Sequence, residues 1–109
     1  CRGRSQAHPM NTILQSELFV GWLARLKDMQ AKFSILARIR RAELGNFGDC
    51  KPVGEGVSEM RIHVGKGYRV YFMQDGNNVY LLLAGGDKAS QQKNITTALA
   101  LARERRTLS

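Results

Sequence analysis

Phe19, Trp22, Leu23 and Leu26 recur at i, i+3, i+4 and i+7, the spacing of one apolar face on an α-helix. Ser16 ahead of them, with Glu17 behind it, predicts an N-cap and an acidic first turn. Asp28 caps a second predicted helix running to about Leu44, with Ile35, Leu36 and Ile39 on its buried side and Gly45 as its left-handed stop. Asn11 to Gln15 reads as a short extended segment before the first helix. The glycine-rich stretch 45–56, GNFGD and then KPVGEG, predicts loops around a short strand at Lys51 to Val53. It lacks the strand that precedes the glycines of a nucleotide-binding loop.

From Val57 the period changes to two, with Met60, Ile62 and Val64 alternating against Glu59, Arg61 and His63, which predicts a half-buried strand. A three-residue hairpin loop at Gly65-Lys66-Gly67 pairs Val64 with Tyr68, Ile62 with Val70 and Met60 with Phe72. On the other face that register sets His63 across from Arg69, Arg61 from Tyr71 and Glu59 from Met73. Asp75-Gly76-Asn77-Asn78 is a second turn, and the unbroken apolar run Val79 to Ala84 is a central strand buried on both sides. A last helix spans about Ala89 to Arg105, with Ile95, Ala98, Leu99 and Ala102 inward. The expected fold is α+β, with two N-terminal helices, an antiparallel sheet of about four strands carrying helices on one face, and a C-terminal helix.

The chain of 109 residues allows one domain, expected over 10–109, with residues 1–9 an expression leader or disordered tail ahead of Met10. No apolar run approaches the length of a membrane span, and a cytoplasmic protein is expected. Cys1 and Cys50 are too few for a disulfide framework and lack zinc spacing, so reduced thiols are expected. Lysine and arginine outnumber aspartate and glutamate 17 to 9, and without Arg2 and Arg4 the count is still 15 to 9. Such an excess on a small domain points to a polyanion, nucleic acid first, or else to a solvated basic surface or an acidic protein partner.

The hairpin face then gathers the chemistry. Arg61 and Arg69 suit a phosphodiester through their forked donors, and His63 titrates near neutral pH. Metal-free RNA cleavage needs a base for the 2′-hydroxyl, for which Glu59 and His63 are the candidates, and cations for the developing charge. Arg61 and Arg69 supply those cations, with Lys88, just past the adjacent strand, as a further stabiliser or acid. Arg38, Arg41, Lys51 and Lys66 are secondary phosphate contacts, although the first two also complement the end of their helix. Tyr71 is a candidate stacking platform for a base. Asp87 reads either as a cap or as part of the site. A Ser/His/Asp set or a carboxylate cluster for a metal cannot be assembled, so neither metal nor other cofactor is expected. The plain alternative is a solvated sheet surface.

Four stretches, WLARLKD (Trp22 to Asp28), RIRRAELGNFGDCKPVGEGVSEMRI (Arg38 to Ile62), GYRVYF (Gly67 to Phe72) and LLLAGGDKASQQKNI (Leu81 to Ile95), resemble the RelE/ParE superfamily of bacterial toxins. They resemble most closely its addiction-module killer group, related to the HigB toxins. The resemblance implies the toxin of a type II toxin–antitoxin pair, with an antitoxin partner of helix-turn-helix type, that cuts messenger RNA on the ribosome as an mRNA interferase. It carries the arginine of the GYR block onto Arg69, the basic strand positions onto Arg61 and His63, and the basic residue after the last strand onto Lys88. It also exposes a departure, since Asn94 stands where RelE has an aromatic or basic residue in the last helix. ParE-like members instead inhibit DNA gyrase without cutting RNA, and a third reading is a non-catalytic co-repressor acting with its antitoxin on their promoter.

Overall fold

The computed structural model describes residues 11–65 and 67–108. The leader expected at 1–9 and the hairpin-loop residue Lys66 therefore lie outside the described residues.

Strand β1 (Thr12–Gln15) leads into α1 (Glu17–Arg25) and α2 (Met29–Glu43). Then come β2 (Cys50–Gly54), β3 (Val57–Ile62), β4 (Tyr68–Gly76), β5 (Val79–Gly86), a 3-10 turn at Lys88–Ser90 and α3 (Gln91–Leu108). Ser16 caps α1 as expected. Its Oγ accepts the Phe19 N–H at 3.1 Å and donates to the Leu83 carbonyl at 2.8 Å, which ties the cap to the sheet. Asp28 caps α2 through the Ala31 N–H at 3.1 Å, and Gly45 follows that helix at φ 97°.

The sheet order is β1-β5-β4-β3-β2. It has five strands and is mixed, against the antiparallel sheet of about four expected. The extended segment before α1 is the added strand, running parallel to β5 from Thr12↔Val79 to Gln15↔Leu82. Asn11 anchors its start, donating from Nδ2 to the Ala42 carbonyl at 2.8 Å and from its backbone N–H to the Glu43 carbonyl at 2.9 Å.

Helices cover both faces of the sheet, not one. Phe19, Ala31, Ile35, Ile39 and Ala42 of α1 and α2 pack on Met60, Ile62, Val70, Phe72 and Leu82. Ala98 and Ala102 of α3 pack on Val57, Tyr71, Met73, Leu81 and Leu83 of the opposite face. Strands β4 and β5 are apolar on both sides, and such strands are stable only when both sides are removed from water. Leu36, expected inside, is 42% exposed, while Ile35 is fully buried. Adjacent residues on a helix diverge by about 100°, and the inward stripe is Ala31, Ile35, Ile39 and Ala42.

The hairpin register differs by two residues from the expected one, with Ile62 opposite Tyr68 and Met60 opposite Val70. The loop spans His63 to Gly67 because Val64 N–H bonds back to the Ile62 carbonyl at 2.9 Å and Gly67 N–H to the Val64 carbonyl at 3.1 Å. Gly65 and Gly67 there adopt φ of 57° and 79°, conformations that side chains resist. An even shift keeps every side chain on its face and changes only its neighbours. Arg61 now faces Arg69, Glu59 faces Tyr71, and His63 leaves the sheet.

Gly85 lets α1 lie close to β5, since a Cβ there would overlap the Trp22 indole. Gly85→Ala is expected to destabilise the fold by about 1–3 kcal/mol through overpacking, read as a lower urea midpoint at unchanged slope. An unchanged midpoint would show that the indole moves away freely.

Candidate functional site

Glu59 lies in the middle of β3 on the α3 side and is 0% exposed. Its Oε2 accepts the Tyr71 hydroxyl at 2.9 Å and the Gln91 Nε2–H at 2.9 Å. Its Oε1 lies 3.5 Å from Arg69 Nη1, and the Arg69 side chain is only 14% exposed. A buried carboxylate is tolerable only when paired in this way. Burial, and then the bond to Glu59, raise the Tyr71 hydroxyl well above its usual phenol value, so it stays a donor. Two expectations are corrected here. Glu59 is sealed beneath α3 and cannot meet a 2′-hydroxyl as a base, and Tyr71, 0% exposed, offers no ring face to a nucleobase.

One step along the hairpin, Arg61 and Arg69 are directly opposed, and Gly86 of β5 is the next partner in that row. Asp49, ahead of β2, completes the arrangement. Its backbone carbonyl accepts the Arg61 N–H at 2.9 Å. Its carboxylate accepts Arg61 Nη2–H at 2.9 Å on Oδ1 and meets His63 Nε2 at 2.5 Å on Oδ2. The His63 bond first, and then Arg61, hold the Asp49 carboxyl below its usual range. An ionised carboxylate only accepts, so Nε2 is the donor in that bond and Nδ1 is the ring nitrogen the bond leaves unused. The His63 side chain is 72% exposed, so its ring can meet a ligand.

Arg38 acts as a clamp. Its Nη1 donates to the Arg61 carbonyl at 2.6 Å, and its Nη2 to the carbonyls of Phe47 at 2.9 Å and Asp49 at 3.2 Å. These bonds hold the loop that presents Asp49, and they take Arg38 out of the phosphate contacts expected of it. Lowered from its usual value by burial, its guanidinium is a structural cation. Arg41 is exposed and lines a shallow cavity of about 280 Å³ with His63 and Val64. Lys51 is exposed opposite Glu59 on β2. Lys88, exposed at the start of the 3-10 turn, places its Cβ close to Gly67 of the hairpin loop. Among the described residues Arg41, Lys51 and Lys88 carry no ion pair, so these three of the expected contacts are open to an anion.

The structure thus brings Arg61, Arg69 and His63 to one end of the sheet, with Lys88 on the adjoining turn. Sequence reasoning missed Asp49 and Gln91. Asp49 belongs to a segment read only as loop, and Gln91 to the outer turn of a helix whose inner stripe alone was assigned.

Residues 22–107 match the family model described as Phage derived protein Gp49-like (DUF891). The chain is a Gp49-like protein. A Haemophilus influenzae (strain ATCC 51907 / DSM 11121 / KW20 / Rd) protein described as uncharacterized is 49% identical over 86 residues, 79% of this chain and 87% of the relative. The Gp49-like family is a RelE-like family of type II toxin–antitoxin toxins, which implies an antitoxin partner. The matched stretch contains the candidate residues from Arg38 to Gln91 and leaves β1 outside it. Among the described residues no helix is long and apolar enough to cross a membrane.

Three carboxylates of this Gp49-like protein are held below their usual values of 3.8 for Asp and 4.5 for Glu, namely Asp49 by His63 and Arg61, Glu55 by Arg103, and Asp75 by Arg105. Their folded forms bind fewer protons than the unfolded chain in that range. The stability they contribute is present above the unfolded values and is lost as pH falls through the lower folded ones. The melting temperature is therefore expected to fall below about pH 4.5. In Asp49→Asn with Asp75→Asn that fall should be shallower, and an equally steep decline would remove these pairs as its cause.

Proposed function

We propose that this Gp49-like toxin belongs with the HigB-like addiction-module killers and acts in the cytoplasm as a ribosome-dependent, metal-independent mRNA endonuclease. The observation that carries the reading is the Asp49 bridge, which holds the exposed His63 ring through Nε2 beside the opposed Arg61 and Arg69.

In that arrangement His63 Nδ1 takes the 2′-hydroxyl proton, and the 2′-oxygen attacks the adjacent phosphorus. The bond to the 5′-oxygen then breaks, leaving a 2′,3′-cyclic phosphate and a 5′-hydroxyl. DNA lacks the attacking group and is refused. Arg61 and Arg69 face the charge that builds on phosphorus. Lys88 steadies the leaving 5′-oxygen, which takes its proton from water to become the hydroxyl. Glu59 contributes through Arg69, whose guanidinium it orients, and not as a base.

Induced expression without an antitoxin, followed by mapping of RNA 5′ ends, tests this reading. Cuts within translated frames are expected. His63→Gln should lower cleavage about 10²–10⁴-fold while leaving the exposed position folded. Arg69→Lys should also impair cleavage, because it keeps a cation over Glu59 but loses the fork. Growth arrest with intact transcripts would overturn the nuclease, and DNA breaks with an SOS response would point to gyrase instead.

A further inference from the structure

An open cavity lies around the corner from the Arg61 and Arg69 row, where the end of α1, the hairpin loop and the start of α3 meet. It is an open groove of about 610 Å³, the size of small-molecule sites, lined by Trp22, Tyr68, Asp28, Asp87, Ser90 and Asn94 among others. No step of the proposed cleavage uses it. It adjoins that chemistry directly, because Gly86, the register partner of Arg69, lines its wall.

Its chemistry is distinctive. One wall is aromatic, with the Trp22 and Tyr68 rings 6.3 Å apart and the indole lying over Gly85. The polar wall consists mostly of acceptors. Asp87 Oδ1 accepts Ser90 N–H at 3.1 Å and Ser90 Oγ–H at 3.0 Å, while Oδ2 has no bond among the described residues. Asn94 turns its Nδ2 to Ser90 Oγ at 2.8 Å, leaving its carbonyl oxygen without a partner there. Asp28 Oδ1 caps α2, and its Oδ2 faces Gly65. Around the rim Arg25, Lys27 and Lys88 are exposed and carry no ion pair among the described residues.

An aromatic wall, an acceptor wall and a cationic rim together describe a site for a nucleotide whose base edge donates. Guanine presents two adjacent donors, N1–H and the N2 amino group, which suit the two unused acceptors of this wall, Asp87 Oδ2 and the Asn94 carbonyl oxygen. Adenine and cytosine set an acceptor beside their amino group, and uracil sets carbonyls on both sides of its N–H, so each would meet repulsion. We propose that this groove binds a guanine base of the RNA strand, its ring against Trp22 and its donor edge toward Asp87 Oδ2 and the Asn94 carbonyl oxygen, next to the phosphate held at Arg61 and Arg69. The inference rests on RNA being the substrate and adds which nucleotide the protein reads.

Trp22 is the single tryptophan of the chain and so reports directly on the groove. Tryptophan fluorescence of the purified full chain is titrated with 5′-GMP, 5′-AMP, 5′-CMP and 5′-UMP, which carry the same phosphate. The expected result is a saturable change with GMP at about tenfold lower concentration than with AMP. Asp87→Asn should erase the preference while the helix melts unchanged, since asparagine caps as well as aspartate but sets an amide donor against the base. Equal responses to all four nucleotides, no response, or a guanine preference that survives in Asp87→Asn would overturn the proposal. Cleavage of messenger RNA is read separately, with the same preparation added to translating ribosomes. Guanine binding without cleavage would sink the nuclease and keep the groove, and cleavage without guanine binding would do the reverse.

Discussion

A carboxylate with no exposure in the middle of a sheet is costly unless its neighbours answer it, and Glu59 is answered by three side chains from two elements. Tyr71 comes from the facing strand, Arg69 from the same strand two residues earlier, and Gln91 from the first turn of α3. Each contact therefore fixes a different part of the molecule: the register of the hairpin, the rotamer of the arginine and the seat of the C-terminal helix. Removing the charge would free all three at once, which makes Glu59 more a constraint on architecture than a local bond. The far end of α3 is fastened by another set of ions, with Arg103 and Arg106 on Glu55 and Arg105 on Asp75. Those pairs are exposed and individually weak, but they hold the helix over the sheet at its other end.

These pairings change the meaning of the positive charge. The formal excess of +8 suggested a basic face, yet Arg38, Arg61, Arg69, Arg103, Arg105 and Arg106 each have internal partners. Among the described residues Arg25, Lys27 and Lys88, which carry no ion pair, stand around the groove at one end of the sheet, with Arg41 beside His63. These cations are placed to draw an RNA strand to that end.

Most of the secondary structure was legible because local chemistry decided it. Ser16, Asp28 and Gly45 cap what they were expected to cap, and the period-two stretch is a strand. Layering was not legible, although the unbroken run Leu81 to Ala84 carried the signal: a strand apolar on both sides requires cover on both. The hairpin register depended on whether the loop began at His63 or Gly65, and a γ-like bond at Val64 decided it beyond the reach of pattern. The face survived because the error was even. Asp49 had no pattern to betray it, since its importance comes from Arg38 holding its loop against β3, a contact between residues far apart in sequence. Glu59 had the reverse problem: its alternation marked a solvent face, which α3 then covered.

The internal pairing of the arginines also bears on how such a site would discriminate between states of its substrate. Arg69 shares its charge with Glu59, and Arg61 and His63 share Asp49, so a singly charged phosphodiester gains little by displacing those carboxylates. A phosphorus centre under attack carries an additional negative charge and competes for the same guanidinium groups on better terms. Binding energy is then released chiefly at the transition state, the condition under which it accelerates a reaction rather than merely holding the substrate. Ground-state positioning must come from elsewhere, from the unpaired cations, from a base seated beside the site, or from the ribosome that presents the strand. A toxin built in this way would grip free RNA weakly and still act on RNA already held in place, so the ion pairs that appear to blunt its cationic face are consistent with a context-dependent nuclease.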